Sequence, residues 1–406
     1  MLLLTKSFFF YRRSSSRNNN RFPSKILQFL AFLLCFPLVT VTVNAAISGP
    51  CSNCHTMHNS QNNSPIATPT GPNPFLTSGT CLGCHAQVGA ATNIVDSIPQ
   101  VYHTGSDLAA GNFAYIAGTK GSGASDSKGH NVIDLFGQNS DEALDMAPGN
   151  SSGWFASPAW HFEVQTDTHL TCAGYVGCHG NRVRVGSAPN YERGVQFLKG
   201  AHHGNVDGKC DTADTVANSY RFLLGIKGLE NPTDKWQNAS SASHNEYFGA
   251  ISPYDQSEAA WASCNQCHFP AGSVGTGVKP ISSTISGFCA SCHGDFHKIG
   301  GTEGGIGGDI TSPFVRHPTD IVIKNAGEYA AYTTYSNLAP VGRTTVPDNP
   351  SAVVTPGSDV VTCLSCHAAH ATDYPDMLRW DYNNVCSAGT ANSSCGCFVC
   401  HTTKDD

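Results

Sequence analysis

The stretch Cys363-Leu-Ser-Cys-His367-Ala-Ala-His370 sets two thiols three positions apart, an imidazole beside the second thiol, and another imidazole three residues on. The same arrangement recurs as Cys51-Ser-Asn-Cys54-His55-Thr-Met-His58. Four more C-x-x-C-H motifs comprise Cys81, Cys84 and His85; Cys264, Cys267 and His268; Cys289, Cys292 and His293; and Cys397, Cys400 and His401. Thiols three residues apart lie on one side of a helical turn. They can add across the two vinyl groups of one haem, and the adjacent histidine then falls beneath the porphyrin and binds its iron. One C-x-x-C alone would equally suit a zinc or dithiol redox site. The histidine after the second cysteine, repeated six times, selects attachment of haem c.

A seventh candidate is irregular. In Cys172-Ala-Gly-Tyr-Val-Gly-Cys178-His179 five residues separate the cysteines. A disulfide, or two thiols beside an incidental histidine, is one reading. A haem site with a looped-out spacer is the other, and Gly174 and Gly177 would permit the loop. The Cys-His pair and the nearby histidines lead us to expect seven haems, or six if this site holds none.

Each iron has a second axial face. The seven motif histidines leave eleven of the 18 in the chain for it. His58 and His370 rank first, because C-H-x-x-H places them one turn beyond their own haem, within reach of a neighbour. His317 and His130 follow, then His297, then His203 or His202, then His103. His244, His161 and His169 are reserves that would hydrogen-bond propionates. Methionine ligation is not expected with only Met57, Met146 and Met377 after residue 45. Bis-histidine iron is low-spin, with a lower potential than His/Met iron.

The elements that must position these groups are short. Charged residues make up 13% of the 406, and 41 are glycine. Amphipathic helices are scarce and no usual aliphatic core is visible. The fold class expected is mostly irregular coil, with short α-helices and a few short β-strands wrapped around a stacked haem array that acts as the core. Residues 1–45 read as a signal peptide: a basic start, an apolar run from Ile26 to Val43, and small residues at Val43-Asn44-Ala45. Residues 46–100 would hold the first haem pair, and 101–250 a loop-rich centre with the atypical site. Residues 251–309 would hold the second pair, and 310–406 a strand-like segment and the third pair. Ser257–Ser263 leads into Cys264 as a helix candidate. Asp320-Ile-Val-Ile and Asp359-Val-Val-Thr read as strands. Trp154 and Trp160 would cover haem edges or simply pack.

Residues 1–45 carry six of the 23 basic residues and none of the 30 acidic ones. The remainder holds 17 Lys and Arg against 30 Asp and Glu, a net charge of −13. That sign excludes a nucleic-acid binder and suits docking with basic partners. Six cysteines lie outside the C-x-x-C-H motifs. Cys35 falls in the apolar leader, Cys172 and Cys178 are described above, and Cys210 has no obvious partner. Cys386 and Cys395 are placed to close a small loop by a disulfide.

Five segments carry a family resemblance: Gly49-Pro-Cys-Ser-Asn-Cys-His-Thr-Met-His-Asn-Ser-Gln61, Lys128-Gly-His-Asn-Val132, Ala201-His-His-Gly204, Ser312-Pro-Phe-Val-Arg-His-Pro-Thr319 and Thr362–His370. They resemble the multihaem c-type cytochromes of dissimilatory metal-reducing bacteria, of the doubled C-x-x-C-H kind. The widened 172–178 site departs from that pattern. The resemblance implies haem-to-haem electron transfer, without catalysis, in the periplasm or outside the cell. Its implied partners are other cytochromes and external acceptors, with no nucleic acid, and assembly into a homo-oligomer or filament. A multihaem reductase for nitrite, hydroxylamine or a sulfur oxyanion is the alternative, and would need one open iron. No C-x-x-C-K occurs to support it.

Overall fold

Among the described residues, two to six residues are all that any helix or strand spans. The computed structural model describes residues 50–65, 76–77, 79–86, 90–136, 170–174, 177–181, 208–210, 216–231, 236–250, 283–290, 292–293 and 317–404, with Pro148 and Leu198. All belong to one compact unit, Asn44–Asp406. Cys264, Cys267, His268, His203, its alternative His202 and His297 lie outside the described residues, as do the reserves His161 and His169, Trp154, Trp160 and the helix candidate before Cys264. Among the described residues no helix is long and apolar enough to cross a membrane.

The described residues form twelve strands in chain order: β1 (Ser60–Gln61), β2 (Ser64–Pro65), β3 (Ile94–Val95), β4 (Ile98–Pro99), β5 (Thr171–Ala173), β6 (Gly177–His179), β7 (Lys209–Cys210), β8 (Gly228–Leu229), β9 (Glu246–Phe248), β10 (Ile321–Val322), β11 (Gly342–Arg343) and β12 (Val360–Val361). The short helices are α1 (Cys81–His85), α2 (Ile133–Phe136), α3 (Ile285–Ala290), α4 (Tyr382–Val385) and α5 (Cys397–Cys400). Three 3-10 turns matter below: Cys51–Asn53, Tyr220–Phe222 and Cys363–Ser365.

The β-branched runs after Asp320 and Asp359 pair with each other, Ile321 against Val361 and Val322 against Val360. They form one edge of a six-stranded sheet, ordered β10-β12-β11-β9-β8-β7. Its pairs are antiparallel except β9 with β11. Under it runs a buried polar network. Glu246 accepts hydrogen bonds from Arg343 Nε at 2.9 Å and the Ser351 amide at 2.7 Å, and meets His244 Nε2 at 3.0 Å. Arg343 also donates to Asp359 and to the Val353 carbonyl. His244 is fully buried, belongs to this network through Nε2, and stacks on Tyr335 with ring centres 3.5 Å apart.

Among the described residues the buried apolar side chains gather in three small clusters. One gathers Phe113, Tyr115, Ile116, Val132 and Ala371, with Cys172 packed against it. Another gathers Tyr220, Leu223, Ile226, Tyr247, Phe288 and Leu364 among others, with Cys178 at its edge. The third holds Ile323, Tyr332, Tyr335, Val341 and Val354, with Cys400 beside it. Each cluster leans on a cysteine of a candidate haem site. Cys386 and Cys395 are joined in a disulfide, as their spacing suggested.

Candidate haem-binding site

The C-x-x-C-H sequence folds locally as a single helical turn. The amide of the histidine donates to the carbonyl of the first cysteine in His55 (2.8 Å), His293 (3.0 Å), His367 (3.0 Å) and His401 (2.9 Å). At Cys81–His85 the turn is α1 itself. At Cys363 a capping box supports it: Thr362 and Ser365 each bond the other's backbone. The turn brings both sulfurs to one side and the imidazole next to them, so five of the six regular motifs have a common local form. Burial raises the Cys81 thiol to about 11 and Cys366 and Cys400 to about 12. Without a bound group they are neutral thiols near pH 7.

Five motif histidines are aimed by a backbone carbonyl. His85 Nδ1 bonds Pro99 O at 2.8 Å, His293 Nδ1 bonds Pro148 O at 2.7 Å, His367 Nδ1 bonds Asp376 O at 2.7 Å, and His55 Nδ1 bonds Leu76 O at 3.3 Å. His179 Nδ1 bonds Arg221 O at 3.0 Å. A carbonyl only accepts, so Nδ1 carries the proton and Nε2 keeps its lone pair for a metal. Desolvation lowers His85, His179, His293 and His367 further, keeping the rings neutral. His401 differs: its Nδ1 faces the Glu328 carboxylate at 3.3 Å, and the Tyr329 ring edge meets it at 5.1 Å.

Three second-face candidates stand opposite motif histidines. His130 faces His293 with ring centres 6.0 Å apart, His370 faces His179 at 6.2 Å, and His317 faces His401 at 6.3 Å. Two metal–nitrogen bonds of about 2 Å each, plus about 1.1 Å from each nitrogen to its ring centre, put trans imidazoles about 6.3 Å apart. The donor set and spacing therefore fit bis-histidine haem iron. His130 Nδ1 bonds Ala369 O at 2.7 Å and His317 Nδ1 bonds Pro318 O at 2.9 Å, the same arrangement as the motif histidines. Burial brings His130 down to about 4 and His370 well below its ordinary value. His370 stacks on Phe113 at 4.7 Å. His103 is 2% exposed, and neither ring nitrogen has a hydrogen-bond partner among the described residues. His58 is exposed, with φ 57°.

One short segment serves several sites. His367 follows its own cysteines, the Ala369 carbonyl aims His130, and His370 reaches toward His179. The amide of His130 donates to His370 O at 3.0 Å, and Ala371 bridges both Gly111 and Gly129. Lys128, nearly buried, pins the assembly through Asp373 at 2.9 Å.

The thiols of successive motifs are neighbours. Cys54 hydrogen-bonds Cys84, and Cys81 interacts with Cys172. Cys178 and Cys363 both interact with Cys289, and Cys366 with Cys397 and Cys400. Sequence reasoning missed the carbonyls of Leu76, Pro99, Pro148, Arg221, Ala369 and Asp376, because any residue offers a carbonyl. It also missed Glu328, which no motif marks.

The family described as "Doubled CXXCH motif" matches residues 257–298 and 355–406. The chain is similar to the C-type cytochrome OmcS of Geobacter sulfurreducens, 25% identical over 384 residues, covering 82% of this chain and 78% of that protein. Two solved filament structures from Geobacter sulfurreducens also align. For the Outer Membrane Cytochrome S filament the TM-score is 0.40 at 18% identity, covering 86% of this chain and 88% of that one. For the OmcS nanowires the TM-score is 0.41 at 19% identity, covering 89% and 93%.

Proposed function

We propose that this chain, a multihaem c-type cytochrome of the doubled C-x-x-C-H kind, carries electrons from haem to haem and delivers them to an acceptor outside the cell, without catalysing a reaction of its own. The observation that carries the reading is the set of facing imidazoles at 6.0, 6.2 and 6.3 Å among the described residues, which would hold an iron from both sides at each of these three sites. Haem iron supplies reversible uptake of one electron. The protein's part is to hold geometry. Paired thioethers from Cys51/Cys54, Cys81/Cys84, Cys264/Cys267, Cys289/Cys292, Cys363/Cys366 and Cys397/Cys400 would fix each group. The Nδ1 bonds of His55, His85, His293 and His367 fix ring orientation and tautomer. The small apolar clusters keep water from the cysteines they touch. Through those cysteines, Cys172, Cys178 and Cys400, the clusters would pack against bound haem. An exported protein in the periplasm or on the outer surface agrees with the leader-like residues 1–45, and the charge of −13 favours basic cytochrome partners.

The test is electron paramagnetic resonance of the oxidised protein, with stopped-flow reduction by dithionite and reoxidation by soluble ferric citrate. Low-spin signals and reversible uptake of several electrons are expected. A high-spin ferric signal with turnover of nitrite, hydroxylamine or a sulfur oxyanion would instead establish the reductase. A second reading, a filament subunit, is favoured by exposed His58 beside Met57, itself 71% exposed. On this reading His58 reaches a haem of the next copy, and His58→Ala protein shows monomers by electron microscopy where the wild type shows filaments.

A further inference from the structure

Cys172 and Cys178 stand side by side despite the five residues between them. β5 and β6 run parallel, with Thr171 opposite Gly177 and Ala173 opposite His179, so Cys172 lies opposite Cys178. Parallel neighbours ordinarily need a crossover of a dozen residues or more. Here the chain returns at once, closed by the Gly177 amide on Gly174 O at 3.0 Å and the Gly174 amide on His179 O at 3.3 Å. Gly174 takes φ 101°, and a Cβ at Gly177 would come within 2.6 Å of the Ala173 carbonyl carbon. Opposed strand residues are about 4.8 Å apart, close to the about 5–6 Å between side chains one helical turn apart. The return therefore restores the cysteine spacing that the longer spacer would otherwise lose.

The two sulfurs are not joined in a disulfide. Cys172 packs with the Phe113 cluster and Cys178 with the Tyr220 cluster. His179 shares the Nδ1–carbonyl bond of the regular motif histidines, and His370 lies opposite it at axial-pair distance. We infer that Cys172, Cys178 and His179 form a further haem-attachment site, with His370 as its second axial ligand, standing between the first haem pair and the Cys289–Cys363 group. The inference rests on the cytochrome reading above. Attachment is redox-neutral: each S–H bond breaks as an S–C bond forms to one vinyl carbon. The vinyl double bond becomes single, the thiol hydrogen goes to the other vinyl carbon, and nothing leaves.

The test is the intact mass, under denaturing conditions, of secreted wild-type protein and of the Cys172→Ser/Cys178→Ser variant. Seven haem increments are expected in the wild type and six in the variant. Six in the wild type, with a Leu170–Gly180 peptide two hydrogens light and haem-free, overturns the inference and leaves the cytochrome reading intact. No haem increment at all overturns that reading instead. If the serine variant is not secreted, the wild-type peptide decides alone, by carrying the increment or lacking it. His370→Ala should keep seven increments and show one high-spin haem. Purely low-spin His370→Ala protein overturns the axial assignment.

Discussion

His370 faces His179 across 6.2 Å although the two lie 191 positions apart and belong to different cysteine motifs. The backbone that carries His370 is held on both sides. Its amide donates to Ala110 O at 2.6 Å, and Ala371 O accepts from the Asn112 amide at 2.9 Å. A histidine three residues beyond the motif histidine His367 is thereby directed to another site.

Gly111 is the first place to test that commitment. It has φ 87°, and a Cβ there would overlap the Ala371 carbonyl. Gly111→Ala should cost about 1–3 kcal/mol through backbone strain and displacement. It should also loosen His370, seen as partial conversion of one haem to high spin. An unchanged spin spectrum would separate the Gly111 contact from His370 ligation.

The Lys128–Asp373 pin gives a pH dependence. Burial alone would raise Asp373, but the Ser122 amide and hydroxyl and Lys128 more than offset it and hold the carboxyl below its usual range. The folded state therefore binds this proton less tightly than the unfolded state. Its contribution is complete above the ordinary aspartate range and is lost as pH falls below it. Asp373→Asn should lower neutral-pH stability by about 1 kcal/mol, given its partial exposure. Thermal melts across the acid range should lack the wild-type component in this variant; identical acid slopes would refute the assignment.

Arg343 joins Glu246 and Asp359 beneath the sheet, at side-chain exposures of 6%, 0% and 7%. Arg343→Met leaves two buried carboxylates without their cation, a loss of about 3–5 kcal/mol. Denaturant unfolding should show a reduced midpoint. A midpoint equal to wild type would mean that the network is dispensable.

Glu328 sets the last haem site apart, since a carboxylate partner raises the basicity of an iron-bound imidazole and favours the ferric state. Glu328→Gln should raise the potential of the Cys397/Cys400 haem. The expected rise is on the order of 60–120 mV, the one-electron equivalent of a 10–100-fold effect. Spectroelectrochemical titration reads the shift; an unmoved lowest-potential component would show that the carboxylate does not tune this iron.

The six regular motifs were legible in the sequence because attachment chemistry is local. Two thiols and an imidazole within five residues need only one helical turn, and any chain that forms the turn presents them. The coil-rich architecture was legible for a similar reason: with few amphipathic runs, no large apolar core was available to organise long elements. The partners Ile321–Val322 and Val360–Val361 were visible as β-branched runs, but their mutual register was not. His130, His317 and His370 were visible as candidates, whereas their partners His293, His401 and His179 were fixed only by the folded chain. Axial pairing is a relation through space between residues far apart in sequence, and carbonyls that aim imidazoles carry no side-chain signature. The spacing of Cys172 and Cys178 shows the division most clearly. Five intervening residues left the site open to two readings, and only the in-register return of β5 onto β6 set the two sulfurs side by side.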